Sequence, residues 1–498
     1  MEFMPIRVFW HYINIKKRYA YPREWFQRHY SSLYLPRFLE VGVVGCFSLI
    51  LGLDSNGYSF GYYICKRIVI KVIMKYIVLL VGMVVSLAFS SAAQVNPYYH
   101  ENAVFREEIK TVQLYREGFE LSSPVLELGS GDRLILSFDD MSDQVKNYYY
   151  TVLHCDPEWN ESNLMQTDYI DGFGENPIED YARSFNTTFS YVNYLLAIPN
   201  EQMDIKMSGN YILLVYEDRD MEKLTLSKRF YVTEKAATIE GTVRRATLDA
   251  FEGSNHEVDF TVFHPGLKIE NPLSEVKVVV MQNGRWDNAI RNLQPLFVQD
   301  GRLTYDYNQE NVFPAGNEFR YFDIRNKRIN GEGVLETSFH RPYFHVTLIP
   351  SEVRSNKRFF PYREMNGRFV VESQEPVQDY HTECDYQFVH FSLPLEAPLM
   401  GGTINVFGEL SNWNANKSNE MTWNFETGRY ELTMLLKQGY YNYMYVYVPE
   451  GAPSADHVNL EGSFWETEND YQILVYYREM SSRYYRLIGY RQLNSKLN

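Results

Sequence analysis

Short runs of alternating apolar and polar residues follow Gln94, and turn residues separate them at regular spacing. Clear cases are Leu134–Phe138, Tyr148–His154 and Lys228–Thr233, and Asp300-Gly301 is a strong hairpin dipeptide. Runs this short, rich in Val, Ile, Tyr and Phe, are typical of β-strands, and no comparable stretch keeps a helical period. The high count of aromatics, 41 Tyr and 31 Phe, favours the same half-buried pleated surfaces. The sequence therefore predicts an all-β fold.

The strand runs fall into three sets, which predict three consecutive immunoglobulin-like β-sandwich domains. The predicted domains are 94–234, 235–383 and 384–498. Within the first, residues 156–199 are predicted to be a longer polar and aromatic insertion. The third is predicted to end in a hairpin of Gln472–Tyr477 and Tyr484–Tyr490.

Residues 74–93 have the residue order of a secretory signal peptide. Lys75 precedes thirteen mostly apolar residues, Ile77–Phe89, and small residues then run to Ala93. The apolar run is shorter than the roughly 20 residues that span a bilayer. We expect cleavage between Ala93 and Gln94. Because Gln94 rather than Cys follows the small residues, no direct lipid anchor is expected.

Residues 1–73 admit two interpretations. They form an extra N-terminal domain or signal-anchor, or they are an upstream extension misassigned by the choice of start codon. We favour the second, because a signal peptide with its own Met and Lys does not belong inside a chain.

The net charge limits which molecules this protein attracts, and the cysteine content limits its disulfide bonds. Residues 1–93 carry 11 Lys and Arg against 4 Asp and Glu, so the formal charge of −15 for the whole chain becomes −22 for the remainder. So acidic a protein does not attract nucleic acid or anionic lipid headgroups. Beyond the signal peptide only Cys155 and Cys384 occur, which is too few for a disulfide framework.

No catalytic or metal-binding constellation is apparent, and no cofactor or small-molecule ligand is expected. In His154-Cys155-Asp156, strand alternation points Cys155 away from its neighbours, and no base is identifiable for it. The doublet Asp139-Asp140 is interpreted as solvated acidic surface. The sequence predicts a protein that is not an enzyme.

The segment Phe407–Trp413, followed by 428–430 and 439–443, resembles an early-set immunoglobulin-like module of the glycogen- and starch-binding kind. That resemblance implies that Trp413 is a platform on which sugar rings stack. The second platform of that family is missing at 449–452, and Met444 stands where the sugar-contacting Lys is expected. Carbohydrate binding through Trp413 is therefore the alternative hypothesis.

A second resemblance spans nearly the whole chain after residue 105. The segments that carry it are Asn147–Trp159, Ser162–Gln166, Tyr169–Phe173, Ser184–Thr187, Ile198–Glu201, Ser208–Tyr211, Gln282–Ile290, Gly316–Ile324, Lys437–Tyr443 and Glu466–Tyr477. These are similar to the type IX secretion system plug protein family. The resemblance implies a non-enzymatic periplasmic protein held at the outer membrane by a protein partner. It also implies that this partner is the large outer-membrane β-barrel translocon, and that the plug closes its pore when no substrate passes.

Overall fold

A computed structural model describes residues 100–452 and 454–496, in which the strands pair into several mainly antiparallel β-sheets. The predicted all-β class is confirmed. Residues 1–73, the predicted signal peptide at 74–93 and the predicted cleavage site between Ala93 and Gln94 lie outside the described residues. In the described part, helix is confined to single turns, none of which is long or apolar enough to cross a membrane. These turns are α1 (Gln166–Tyr169), η1 (Met221–Lys223), α2 (Pro272–Glu275), α3 (Tyr380–Glu383), η2 (Glu409–Ser411) and α4 (Val458–Glu461).

The N-terminal sandwich is formed by two sheets that enclose one apolar core over residues 103–233. Sheet A has the order β1 (Ala103–Val104), β12 (Leu224–Thr233), β11 (Gly209–Glu217), β5 (Tyr148–Cys155) and β7 (Asn176–Pro177), with β3 (Val125–Glu127) parallel to β12. Sheet B has the order β2 (Ile109–Arg116), β4 (Leu134–Asp140), β9 (Val192–Ile198) and β8 (Asp180–Arg183). The pair β6 (Ile170–Gly172) and β10 (Met203–Ile205) adds to the same core. The predicted insertion at 156–199 is corrected, since it supplies β6 to β9.

The middle sandwich combines residues 238–314 with the C-terminal hairpin. Sheet C has the order β13 (Thr238–Arg245), β14 (Asn255–Phe263), β18 (Arg302–Tyr305) and β17 (Phe297–Gln299), with β19 (Val312–Pro314) also on β14. Sheet D has the order β16 (Ile290–Arg291), β15 (Val276–Gln282), β29 (Asp470–Tyr477) and β30 (Arg486–Asn494). The turn at Asp300-Gly301 joins β17 to β18, as its sequence predicts.

The inserted sandwich lies in sequence between β19 and β29. Sheet E has the order β20 (Arg320–Asp323), β28 (Gly439–Pro449) and β23 (Phe369–Val371), with β25 (Gly402–Phe407) also on β28. Sheet F has the order β21 (Val334–His340), β22 (Tyr343–Leu348), β24 (Tyr386–Pro394), β27 (Arg429–Lys437) and β26 (Thr422–Asn424).

Several strand pairs cross the predicted boundary at 383/384. Strands β20, β22 and β23 precede it but pair with β28 or β24, which follow it. Strand β29 of the C-terminal hairpin also pairs with β15, which precedes it. The residue pair Val276 and Tyr477 illustrates the cause, since about two hundred positions separate them in the chain. Turn residues mark where a strand ends but not which distant strand it joins. The division of the chain into separate domains remains a prediction.

The N-terminal and middle sandwiches stack through the outer faces of sheets A and D. Successive residues of β11 point to opposite faces, so Leu213 enters the N-terminal core while Leu214 packs in a second cluster with Leu474 and Leu487. As a result every residue of β29 is buried, as is every residue of β12. Strands buried on both faces show no polar alternation in sequence.

Truncation of Leu214 tests whether this stacking stabilises the fold as much as a sandwich core does. Leu214→Ala is expected to lower the free energy of unfolding by about 2–5 kcal/mol, because it opens a cavity between two packed sheets. Leu213→Ala, one residue away in the N-terminal core, is the matched control and is expected to cost a similar amount. Urea unfolding followed by circular dichroism measures both. A negligible cost for Leu214→Ala alone would mean that the two sandwiches do not stabilise each other.

Candidate interaction surfaces

The strand end at His154-Cys155-Asp156 is built into the sandwich and its three side chains point to different partners. His154 is buried, with Nδ1 2.7 Å from Ser162 Oγ and Nε2 3.1 Å from the Ser208 carbonyl oxygen. Burial raises the pKa of the Cys155 thiol. Asp156 accepts hydrogen bonds from the backbone N–H groups of Glu158 and Asn160, each at 2.9 Å. These contacts hold the loop that follows β5 in its conformation.

A buried ion pair joins the N-terminal sandwich to the inserted sandwich. Asp139, on the outer face of β4, lies 2.6 Å from the ammonium group of Lys437 at the end of β27. The same carboxylate accepts hydrogen bonds from the Tyr386 hydroxyl at 2.7 Å and the Asn193 amide at 2.7 Å. Asp139 and Asp140 are both fully buried, so their interpretation as solvated surface is wrong. The buried charges of Asp139 and Lys437 therefore compensate each other across the contact between the N-terminal and inserted sandwiches.

Other polar contacts close a triangle between the three sandwiches. Lys228 of sheet A donates to Asn412 Oδ1 at 2.6 Å, which links the N-terminal and inserted sandwiches a second time. Arg368 of the inserted sandwich forms an ion pair with Asp470 of sheet D at 3.3 Å. Each sandwich therefore contacts the other two. A closed triangle resists hinge motion better than a linear chain of domains does.

Trp413 lines a cleft to which all three sandwiches contribute residues. The cleft has a volume of about 480 Å³ and is also lined by Trp286, Arg229 and Lys228. The indole of Trp413 packs edge to face on Phe407, with ring centroids 5.6 Å apart, and on Phe319. Gly367, at φ +81°, lets the ring approach, since a Cβ there would lie 2.4 Å from its Cη2 atom. The predicted role of Trp413 in sugar binding remains a prediction.

Two sheet edges expose apolar side chains to solvent. Strand β17 ends sheet C, and Leu296, Phe297 and Val298 are 44–57% exposed there. Strand β21 ends sheet F and exposes Leu335 and Phe339. An edge strand offers backbone donors and acceptors to a partner, and natural proteins usually cover or charge such edges.

Two buried histidines make the stability of the unit depend on pH. Burial lowers the pKa of His154 to about 4, and burial together with Arg285 lowers that of His457 to about 4. Both imidazoles therefore stay neutral in the folded protein until the pH approaches 4. In the unfolded chain the same two histidines become protonated below about pH 6.5. The contribution of the two histidines to the free energy of unfolding is complete above about pH 6.5 and disappears as the pH falls towards 4.

The free energy of unfolding is accordingly expected to fall by up to about 1.4 kcal/mol per pH unit for each histidine over this window. Urea unfolding at several pH values between about 7 and 4 measures the slope. His154→Gln is expected to reduce it, while His340→Gln, at an exposed position, serves as the control. A slope unaffected by His154→Gln would refute the assignment.

Two comparisons with known proteins found a match. Residues 109–234 match the model described as "Type 9 secretion system plug protein 1st domain". The crystal structure of a hypothetical protein from Parabacteroides merdae superposes with a TM-score of 0.77 at 35% sequence identity, over 79% of this chain and 99% of that one. Residues 109–234 are similar to the first domain of the type 9 secretion system plug proteins. No curated protein matches it.

The match over residues 109–234 indicates a role in type IX secretion. The family is a non-enzymatic component of type IX secretion, which implies a periplasmic location and association with the outer-membrane translocon. The family match covers the N-terminal sandwich, and the P. merdae structure extends the likeness well beyond it. The early-set resemblance at Trp413 has no such support.

Proposed function

We propose that this protein binds the periplasmic side of the type IX translocon and seals its pore when no substrate passes. The observation that carries the proposal is the family match over 109–234. The proposed partner is an outer-membrane β-barrel, and the contact is between proteins, without a cofactor or nucleic acid.

The physical properties of the described unit support a plug. A body that blocks a wide pore must keep its shape under thermal motion, and three sandwiches fixed to each other by buried contacts meet that demand. The exposed edges at β17 and β21 offer the backbone groups and apolar side chains that pair with or pack against another protein.

Deletion of the gene tests the sealing role. The outer membrane of the deletion strain is expected to become permeable to bulky solutes that normally stay outside, and the gene supplied in trans is expected to restore the barrier. Deletion of the translocon gene as well provides the control, since without a pore there is nothing to leak. An intact barrier in the single deletion would contradict sealing.

Site-specific cross-linking tests the contact itself. A photo-reactive residue in place of Phe297 or Phe339 places the probe on an exposed sheet edge, while Lys268, a well-exposed polar position, serves as the control. We expect the large barrel to be captured from at least one edge and not from Lys268. Capture from none of the positions, in cells that contain the translocon, would weigh against docking through the edges.

Carbohydrate binding is the second candidate, favoured by the position of Trp413 in the cleft with Trp286. Titration calorimetry with glucans separates the two functions. Heat that disappears in Trp413→Ala would support it, because a stacked sugar loses its platform. The absence of heat in the unaltered protein would remove it.

A further inference from the structure

A buried lysine of sheet A lines the cleft to which the three sandwiches contribute. Lys228 is only 7% exposed, and it borders the cleft together with Asn412 and Trp413 of the inserted sandwich. In β12 it alternates with Leu226 and Phe230, which belong to the N-terminal core, so strand geometry gives it a core-facing position. Lysine rarely takes such a position unless another group pairs with its charge. Packing alone therefore does not account for a lysine at this point of β12.

The ammonium group of Lys228 lacks a carboxylate partner within the part of the chain that the structure describes. Nζ lies 2.6 Å from Oδ1 of Asn412, which is a neutral acceptor, and no carboxylate oxygen of the described residues lies within 4 Å of it. The charge of Glu409 acts on it from a greater distance, while that carboxylate accepts from the backbone N–H of Phe369 at 3.2 Å. An ammonium group has three N–H donors. It is therefore able to donate further hydrogen bonds into the cleft.

The surroundings of Lys228 disfavour its charge without removing it. Burial lowers the pKa of Lys228 to about 8, and the charge of Glu409 offsets only part of that effect. The side chain is therefore still mostly protonated at neutral pH. A buried charge is costly until an opposite charge or hydrogen bonds compensate it. An anion that enters the cleft would provide this compensation.

The backbone that presents Asn412 and Trp413 to the cleft is held in an unusual conformation. Both residues lie in the left-handed region, with φ values of +56° and +58°. The N–H of Trp413 donates to the carbonyl oxygen of Gly408 at 3.0 Å, and the amide of Asn414 donates to the carbonyl oxygen of Asn102 in the N-terminal sandwich. Non-glycine residues in this region are strained and tend to cluster at binding sites. The two side chains are thus fixed before any ligand arrives, which lowers the entropic cost of binding.

We propose that the cleft binds a carboxylate of a peptide, with Lys228 as the counter-ion. A carboxylate accepts charge-assisted hydrogen bonds from an ammonium group, and these are stronger than neutral ones. A single negative charge fits better than the double charge of a phosphate group, because Glu409 also lines the cleft. The carboxylate is that of a chain terminus or of an Asp or Glu side chain, which present the same group.

The remaining lining of the cleft suits a short peptide segment. Its walls include the aromatic rings of Trp286, Phe407 and Trp413, which offer apolar contact. They also include the side-chain amides of Asn102 and Gln472, and amides donate and accept hydrogen bonds as a peptide backbone does. The volume of about 480 Å³ is within the roughly 300–1,000 Å³ typical of small-ligand sites. The proposal does not depend on the sealing role, because it concerns the isolated protein.

Titration with three small probes tests the proposal, with the indole N–H signal of Trp413 in NMR spectra as the readout. N-acetylglycine carries a terminal carboxylate, N-acetylglutamate α-amide carries a side-chain carboxylate, and N-acetylglutamine α-amide is the neutral match. We expect saturable shifts from at least one of the two carboxylates and none from the neutral amide. The tighter of the two carboxylates distinguishes a chain terminus from an acidic side chain. Trp413→Phe assigns the signal, which disappears in that variant.

Three variants separate the charge of Lys228 from its packing. Lys228→Met keeps the apolar stem and removes the charge, and is expected to weaken binding by about 10- to 100-fold. Lys223→Met, at a lysine of η1 whose side chain is 43% exposed, is the control and is expected to bind as the unaltered protein does. Asn412→Asp places a carboxylate beside Lys228, so it is expected to block the probes while it raises the urea midpoint of unfolding.

Urea unfolding without probes shows which variants fold. No saturable shift in the unaltered protein, or equal binding of the neutral amide, would overturn the proposal. Undiminished binding in Lys228→Met would do the same, and Asn412→Asp takes its place should Lys228→Met not fold. A glucan that shifts the indole signal when neither carboxylate does would assign the cleft to carbohydrate instead.

Discussion

Replacement of Asp139 by Asn is expected to lower the free energy of unfolding by about 3–5 kcal/mol, since it leaves the buried ammonium group of Lys437 without a counter-charge. The side chains of Lys437 and Asp139 are only 2% and 1% exposed. Water therefore does not reach the ammonium group of Lys437 to stabilise its charge when the carboxylate is lost. Urea unfolding at neutral pH measures the effect.

An exposed ion pair provides the matched control for Asp139→Asn. Asp143 lies 3.5 Å from Arg183, with both side chains more than half exposed. Asp143→Asn is expected to change stability by no more than about 1 kcal/mol, because solvent screens such pairs. Similar costs for the two variants would show that the contact between the N-terminal and inserted sandwiches is open to water.

Replacement of Glu461 by Gln is expected to have an effect of the same size, about 3–5 kcal/mol, because two partly buried guanidinium groups lose the charge of the fully buried carboxylate that they share. Its carboxylate accepts from Arg320 at 2.9 Å and from Arg354 at 2.7 Å, and from the backbone N–H of Tyr445 at 2.8 Å. Burial by itself raises the pKa of Glu461, but the charges of Arg320 and Arg354 outweigh it and lower the pKa to about 2.

The pH dependence of Glu461→Gln separates loss of charge from loss of packing. A carboxylate whose folded pKa is depressed contributes fully above its unfolded pKa of about 4.5, and the contribution disappears as the pH falls towards 2. The difference between the unaltered protein and Glu461→Gln is therefore expected to shrink over that range. Glu270→Gln, which removes a well-exposed partner of Lys268, is the control. A difference that stays constant with pH would assign the cost to packing.

The positions of strands were predictable because each run of alternating residues ends at turn residues. The predicted strands Tyr148–His154 and Lys228–Thr233 correspond to β5 and the second half of β12. Partners were not predictable, since the insertion of one sandwich between β19 and β29 leaves no local trace in the sequence. In β28, Tyr443 faces the core of the inserted sandwich while its neighbour Met444 packs in a separate cluster, so burial on both faces conceals the pattern.

The contacts between sandwiches were harder to predict than the strands. Adjacent residues of a strand face opposite ways, so a doublet such as Asp139-Asp140 always presents one carboxylate to each face. Sequence alone does not show that Tyr148 meets one of them and Lys437, 298 positions away, meets the other. The family resemblance, by contrast, depended on residue identities along the chain, and the family model supports it over residues 109–234.

The most direct test of the sealing role is the conductance of the purified translocon in a planar lipid bilayer, with and without this protein. We expect the free barrel to conduct ions and the complex to be closed, with conductance returning when the protein is removed. Equal conductance of the free barrel and of a complex shown to contain the protein would contradict the proposal that it seals the pore.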